Sequence, residues 1–359
     1  MTGELGKKYL KEYIAKTDDL LVRYYNQKIK DAKEIGEIPA GNLQAFVETV
    51  RRGKRIRGAL MTLGYYIAGG KDTQAITEAS LCVELFHAGA LVHDDIMDKD
   101  SMRRGLPSMH YQFSGMAKDI GIKTDVGHYG ISQAINLADG AFYMSWEILL
   151  NSKFSAQEKL LAGQIYTDYV LRVVNGQELD VANLANGHIP KEAEILNVLK
   201  YKTAEYTGIM PLYMGGLLGG MKNENTITAL KEYGLSFGWA FQIQDDILGI
   251  FSDEEEFGKP VGSDLREGKN TLLTLYVQQN GTPAQKTFLK QVLGNENITK
   301  DDVLTMREIF IESGALKHTL ALGWKYVSDG KMIIPKITKE QQYADLLESL
   351  IVYMMERAV

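Results

Sequence analysis

No proline stands between Pro107 and Pro190 or between Pro211 and Pro260, and the whole chain holds 7. A proline inside a helix removes a backbone donor and clashes with the preceding turn, so these gaps permit long uninterrupted helices. The apolar residues fit that allowance. Leu5, Tyr9, Leu10, Tyr13, Ile14, Leu20, Leu21, Tyr24 and Tyr25 recur at three- and four-residue steps, which predicts one amphipathic helix up to about Lys33. Similar periodicity predicts helices over 43–50, 59–68, 74–98, 140–151, 155–183, 192–206, 225–252, 283–293, 301–312 and 339–356. Strand-type alternation is almost absent. The reading is an all-α protein, a single domain over 1–359 with one large core and no linker. Ser114 to Gly130, rich in Gly, Lys and Asp, is expected to be a loop, and Asn183 to Pro190 a second one.

Composition narrows the class. Apolar residues make up 45% and charged residues 24% of the 359, which is ordinary for a globular protein, and the net charge of −6 argues against a general nucleic-acid binder. The one cysteine, Cys82, lies in an apolar segment and cannot form an internal disulfide. Met1 to Leu20 mixes Lys, Glu and Asp, unlike a signal peptide. No run of about 18 apolar residues is evident, so no membrane span is expected and a cytoplasmic location follows.

The chemistry concentrates in Glu84–Gly105, ELFHAGALVHDDIMDKDSMRRG, a densely apolar segment that ends in Asp94, Asp95 and Asp98 and is followed by Arg103 and Arg104. On a helix Asp94 and Asp98 are i and i+4, so both carboxylates face one way. They fall near a helix C-terminus, where the macrodipole disfavours anions, and a bound cation would relieve them. Carboxylates that share Mg²⁺ with substrate phosphates are a usual way to hold that ion. A single such motif reads more readily as a solvated acidic turn.

A second copy changes the balance. Phe241-Gln242-Ile243-Gln244-Asp245-Asp246 again ends an apolar helix, and a segment with Lys259, Asp264 and Lys269 follows. Two carboxylate pairs facing across a cavity would repel each other unless metal ions and a diphosphate lay between them. Arg51-Arg52-Gly53-Lys54-Arg55-Ile56-Arg57-Gly58 supplies a tight basic turn, in which Lys54 and Arg57 could converge on one anion. Taken alone, that cluster reads as a solvated turn. His93 invites a zinc reading, but no Cys or His partner stands at zinc spacing.

The series GKRIRG, HDDIMDKDSMRRG, YKT, FQIQDD and GKPVGSDLREGKNT, in that order over 53–271, resembles the trans-prenyl diphosphate synthases of the polyprenyl synthetase family. The resemblance implies an isoprenoid-synthase-type helical bundle around a central cavity, and a homodimer. It implies Mg²⁺, three ions per site, on Asp94 and Asp98 with Asp95 in support, and on Asp245 with Asp246 and Asp264 nearby. Lys54, Arg57, His87 and Arg104 match positions that bind isopentenyl diphosphate. Arg103, Lys202, Lys259 and Lys269 match groups that grip an allylic diphosphate (dimethylallyl, geranyl or farnesyl). Lys202, Thr203 and Gln242 would offer oxygens to a developing carbocation. Gln177 and Asp180 match a cavity-lining helix but could equally belong to an ordinary polar face, and His87 alone reads as a core histidine. Gly249 stands where many relatives have a third aspartate of the second motif.

The growing tail should run down the helix face before Asp94, past Ala90 and Gly89, until it meets Phe86 and Leu85, about one turn deeper. Nothing bulky blocks that path, so a product of twenty carbons or more is expected, geranylgeranyl diphosphate favoured, and Gly89→Phe should shorten it. Medium-chain products of 25–35 carbons and farnesyl diphosphate stay open. A terpene cyclase would leave GKRIRG and RRG unexplained, a silent partner subunit would lack the aspartates, and a helical scaffold would need neither.

Overall fold

A computed structural model of the chain describes residues 2–185, 190–252 and 261–357. Helix α1 (Glu4–Ile35) packs on α2 (Glu37–Arg51), and a tight basic turn leads into α3 (Ile56–Ile67). Helix α4 (Thr73–Met97) follows, capped by the Asp72 carboxylate, which accepts from the Ala75 N–H. A two-stranded hairpin, β1 (Met102–Arg103) against β2 (Leu106–Pro107), closes the turn beyond it. Then come α5 (Met109–Asp119), α6 (Val126–Asn151) and α7 (Ala156–Ala185). Next, α8 (Glu192–Val198), a π-helical stretch (Leu199–Ile209) and α9 (Met210–Leu218) run on as one rod. The C-terminal part holds α10 (Glu224–Phe251), α11 (Ser263–Glu267), α12 (Leu272–Asn280), α13 (Pro283–Val292), α14 (Lys300–Glu312), α15 (Ala315–Ile337) and α16 (Gln341–Glu356).

Three apolar clusters hold the bundle. One joins α10, α15 and α16 to the C-terminal helices around Tyr233, Phe237 and Phe310. A second joins α3, α4, α7 and the π-helical rod around Met61, Phe86 and Tyr166. The third joins α1, α2, α4, α5 and α6 around Tyr25, Phe46 and Phe113. The rod is gripped on both sides through glycines. A Cβ at Gly215 would lie 1.9 Å from the Met61 carbonyl of α3, and one at Gly208 would lie 1.9 Å from the Gly234 carbonyl of α10.

The expected Ser114–Gly130 loop is mostly helical, because α5 extends to Asp119 and α6 starts at Val126. The Asp125 carboxylate caps α6, accepting from Gly127 and His128, and the glycine content marks close packing: a Cβ at Gly130 would strike Ser114 Oγ at 2.2 Å. Helix α7 continues to Ala185 through the first part of the other expected loop, of which 186–189 lie outside the described residues. Helices α9, α11, α12 and α15 also lie outside the segments whose apolar periodicity predicts a helix. By length and composition α4 could cross a bilayer, although no such run was expected, but it is mostly buried in the bundle.

Candidate active site

A cavity of about 1730 Å³ opens between α4, α7, the π-helical stretch, α10 and the basic turn. Asp94 and Asp98, at the end of α4, line it, and so do Asp245 and Asp246 of α10 and Asp264 of α11. The two acidic motifs, far apart in sequence, therefore share one hollow. Asp95 does not: it is buried behind the wall and held by Arg103, whose Nε donates to Asp95 Oδ1 at 2.6 Å. Arg103 also reaches Asp100 at 3.1 Å and Asp94 at 3.6 Å. It lines the cavity, but here it ties the turn after α4 together through carboxylates.

Lysines thread the acidic half. Lys202 of the π-helical stretch lies 3.1 Å from Asp94 and 2.5 Å from Asp180 of α7, while Lys269 stands 3.8 Å from Asp246 and 3.7 Å from Asp264. Burial opposes charge on both lysines, yet Asp94 and Asp180 hold Lys202, and Asp264 and Asp246 hold Lys269, above the ordinary lysine range. The carboxylates are less comfortable. Burial and the Asp94 charge push the Asp98 carboxyl up to about 7, and burial together with Asp264 does the same to Asp246. Gln242 donates to Asp246 Oδ1 at 2.8 Å. Lys259 lies outside the described residues.

The basic half is built on strained backbone. Arg55 and Arg104 sit at φ 47° and 54°, a left-handed conformation that side-chain-bearing residues rarely adopt. Arg55 turns away from the hollow's centre to bond Thr17 at 2.9 Å and Asp18 at 2.6 Å on α1, which leaves Lys54 and Arg57 facing the cavity. Arg57 stacks over Tyr206, 4.2 Å from the ring centroid, and donates to Thr207 at 2.7 Å, while its Nε finds no partner among the described residues. Arg104 donates to the Thr49 carbonyl of α2 at 2.9 Å. Burial and the neighbours Arg103 and Arg57 push its pKa down to about 10. Burial, Arg357 and Arg104 likewise lower that of Lys54. Burial and the adjoining arginines hold His87 neutral, with Nδ1 at 3.2 Å from the Tyr206 hydroxyl. Lys54, Arg57 and Arg104 thus crowd one another at this side of the hollow.

Beyond the charged groups the wall turns apolar. Ala90 and Phe86 line it with Phe142, Trp146 and Tyr166, and the Phe86 ring meets those of Phe142 at 5.4 Å and Tyr166 at 5.7 Å. Gly89 and Leu85, expected under the tail, are not in this wall. A Cβ at Gly89 would meet Ala138, Ala141 and Phe142 of α6 at 3.0 Å, and Leu85 is buried in the cluster with α1, α2 and α6. Gly89→Phe would thus collide with a helix rather than fill the cavity. Thr203, Gln177 and Asp180 do line it. His93 lies 3.7 Å from Asp139 with its ring against Phe142.

Two further cavity residues, Glu267 and Arg357, stand outside the carboxylate and basic motifs. Glu267 brings a carboxylate oxygen within 4.8 Å of those of Asp98 and Asp100, and burial with Asp264 pushes its pKa up to about 9. Arg357, just after α16, is fully engaged: it donates to Asp245 at 2.8 Å and to the Phe241 carbonyl at 2.8 Å. Gly249 uses its carbonyl to dock the following segment, accepting from the Gly262 N–H at 3.0 Å.

The donor set fits magnesium. Five aspartates offer hard oxygen ligands around one hollow, and the buried Asp246 Oδ2 has no hydrogen-bond partner among the described residues. The hollow thus joins an acidic, lysine-threaded half, a basic half and an apolar end. Residues 42–310 match the polyprenyl synthetase family, and the chain belongs to it. It is a prenyltransferase, a trans-prenyl diphosphate synthase. It is 33% identical over 324 residues to a geranylgeranyl diphosphate synthase of Saccharolobus solfataricus, covering 86% of this chain and 89% of that one. It is 28% identical to a geranylfarnesyl diphosphate synthase of Aeropyrum pernix, over 85% of this chain and 90% of the other. Its fold superposes with a TM-score of 0.92 on a geranylgeranyl pyrophosphate synthase from Corynebacterium glutamicum solved with isoprenyl diphosphate and magnesium. That match has 26% identity and covers 97% and 99% of the two chains.

Proposed function

We propose that this chain joins isopentenyl diphosphate to an allylic diphosphate and releases an all-trans product of twenty carbons, geranylgeranyl diphosphate. The observation that carries the reading is the single cavity with carboxylates and lysines at one side, Lys54, Arg57 and Arg104 at another, and an apolar end. Lys202 and Lys269 grip the allylic diphosphate beside Asp94, Asp98, Asp245, Asp246 and Asp264, which would hold three Mg²⁺. Bound magnesium supplies neutralisation of charge on the departing pyrophosphate. Lys54, Arg57 and Arg104 orient isopentenyl diphosphate next to it, with His87 as a neutral wall group. The allylic C–O bond breaks, and the isopentenyl double bond attacks the allylic carbon to form the new C–C bond. A proton then leaves to the departing pyrophosphate. Thr203 and Gln242 present oxygens to the transient cation, and the aromatic wall keeps water from it.

Chain length rests on the floor. From Asp94 to Phe86 is about 12 Å along α4, and Ala90 leaves that path open until the Phe86, Trp146 and Tyr166 rings. A product one isoprene unit longer is the second reading, supported by likeness to the geranylfarnesyl diphosphate synthase. The chain acts as a homodimer through exposed apolar residues of α6 and α7. Purified protein with Mg²⁺, labelled isopentenyl diphosphate and each of the three primers should give linear C20 prenols after dephosphorylation. Cyclic hydrocarbons or no turnover would sink the reading. Phe86→Ala should lengthen the product by at least one unit, and Ala90→Phe should shorten it. An unchanged distribution in both would move the tail elsewhere.

A further inference from the structure

Glu84 lies two to three turns before the first acidic motif on the same helix, buried and outside the cavity wall. Its Oε1 accepts the Gly58 N–H at 2.6 Å. That N–H belongs to the first turn of α3, where a helix has no internal acceptor, and Arg55 at the N-cap provides no side-chain cap. The contact allows no substitute at Gly58, where a Cβ would lie 2.0 Å from the Tyr13 hydroxyl. Arg57, one residue before, lines the cavity, and its buried Nε has no hydrogen-bond partner among the described residues.

We infer that Glu84 is a positioning residue: by holding the Gly58 N–H it fixes the α3 entry turn, and with it Lys54 and Arg57, at a set distance from Asp94 on the same helix. Ten residues of rigid helix separate the two carboxylates, about 15 Å. The helix that carries the first metal-binding aspartates thereby also sets where the second diphosphate sits. Burial raises the Glu84 carboxyl above the usual carboxylate range, opposed by the Gly58 N–H and by the Arg57, Arg104 and Arg55 charges. Lys54 and Arg57 then approach the anion already oriented, so the contribution of Glu84 is to substrate binding rather than to ionisation of the allylic bond.

This rests on the assignment of Lys54 and Arg57 to isopentenyl diphosphate, which Lys54→Ala tests separately: it should raise KM for isopentenyl diphosphate about tenfold, and no rise would overturn that assignment. Against that control, Glu84→Ala should raise KM for isopentenyl diphosphate about tenfold, with kcat and the allylic KM within twofold. Glu84→Gln keeps an acceptor at the same reach and should stay within threefold of the parent. Glu84→Asp keeps the charge but withdraws the oxygen by one methylene, so it should behave like alanine; it also serves if the alanine variant fails to fold. Calorimetric titration of full-length protein with isopentenyl diphosphate should follow the same order. A normal KM in both Glu84→Ala and Glu84→Asp while Lys54→Ala is impaired overturns the inference, as does impairment by Gln with normal binding by Asp.

Discussion

Asp98 and Asp246 are reluctant anions. Burial with Asp94, and burial with Asp264, lift their carboxyls from 3.8 to about 7 in the metal-free protein. The folded state then binds protons more tightly than the unfolded chain, so this stabilisation is full below pH 3.8 and is lost as pH rises through 7. Asp98→Asn removes the titration. In chelator, its melting temperature relative to the parent should therefore climb between pH 4 and pH 7 and level off above, by on the order of 2 kcal/mol in stability after allowing for partial exposure. Magnesium with pyrophosphate at pH 8 should reverse the order, stabilising the parent more than the variant. Calorimetry across that range decides it; a flat difference would mean that Asp98 is ionised at no penalty.

At the scale of elements, the π-helical stretch and α10 approach backbone to backbone. A Cβ at Gly238 would lie 2.4 Å from Ala204 Cα and 2.4 Å from its carbonyl oxygen, so Gly238→Ala must push the two apart. Lys202 and Thr203 ride on one side of that seam, Gln242 and Asp245 on the other. The variant should lose roughly 1–3 kcal/mol of stability and show a drop in kcat of about tenfold with smaller changes in KM; chemical denaturation and steady-state kinetics check both. A kcat near the parent's would show that the seam is not part of the machinery. The sequence made α4 and α10 legible because each joins a long apolar run to a local acidic motif. The seam itself was not, since Gly208, Gly234 and Gly238 answer to partners on another helix. The same holds for α15, whose Gly323 and Gly330 face Met355 and Ile351 of α16 and break the local apolar pattern. Among the cavity's lining residues, Lys54, Arg57, Asp94, Asp98, Asp245, Asp246 and Asp264 lie in short motifs legible in the sequence. Gly89 was placed one residue off the cavity because α6, not α4, decides which flank faces inward. Arg357 meets Asp245 across 112 positions, with no local signal at all.

At the scale of the molecule, α6 and α7 present apolar groups that none of the described residues covers. Tyr143 is 76% exposed and Leu150 57% on α6, with Leu160 at 57% and Leu171 at 58% on α7. Val174 and Val181 continue the α7 face, and both also line the cavity. Exposed apolar groups of this kind suit an interface, and in the homodimer proposed above a second copy of the chain would cover them beside the α7 wall of the site. The parent should then sediment at twice its 40.1 kDa chain mass. Leu160→Glu combined with Leu171→Glu should give monomers, because four buried carboxylates would face each other across the symmetric contact. Activity should fall with dissociation, since Gln177 and Asp180 on the same helix would lose their support, and Asp180 is what holds Lys202 beside Asp94. Sedimentation velocity and kinetics on the same samples separate the outcomes. A monomeric parent removes the dimer, and a fully active monomeric variant keeps the interface but frees the cavity wall from any dependence on it.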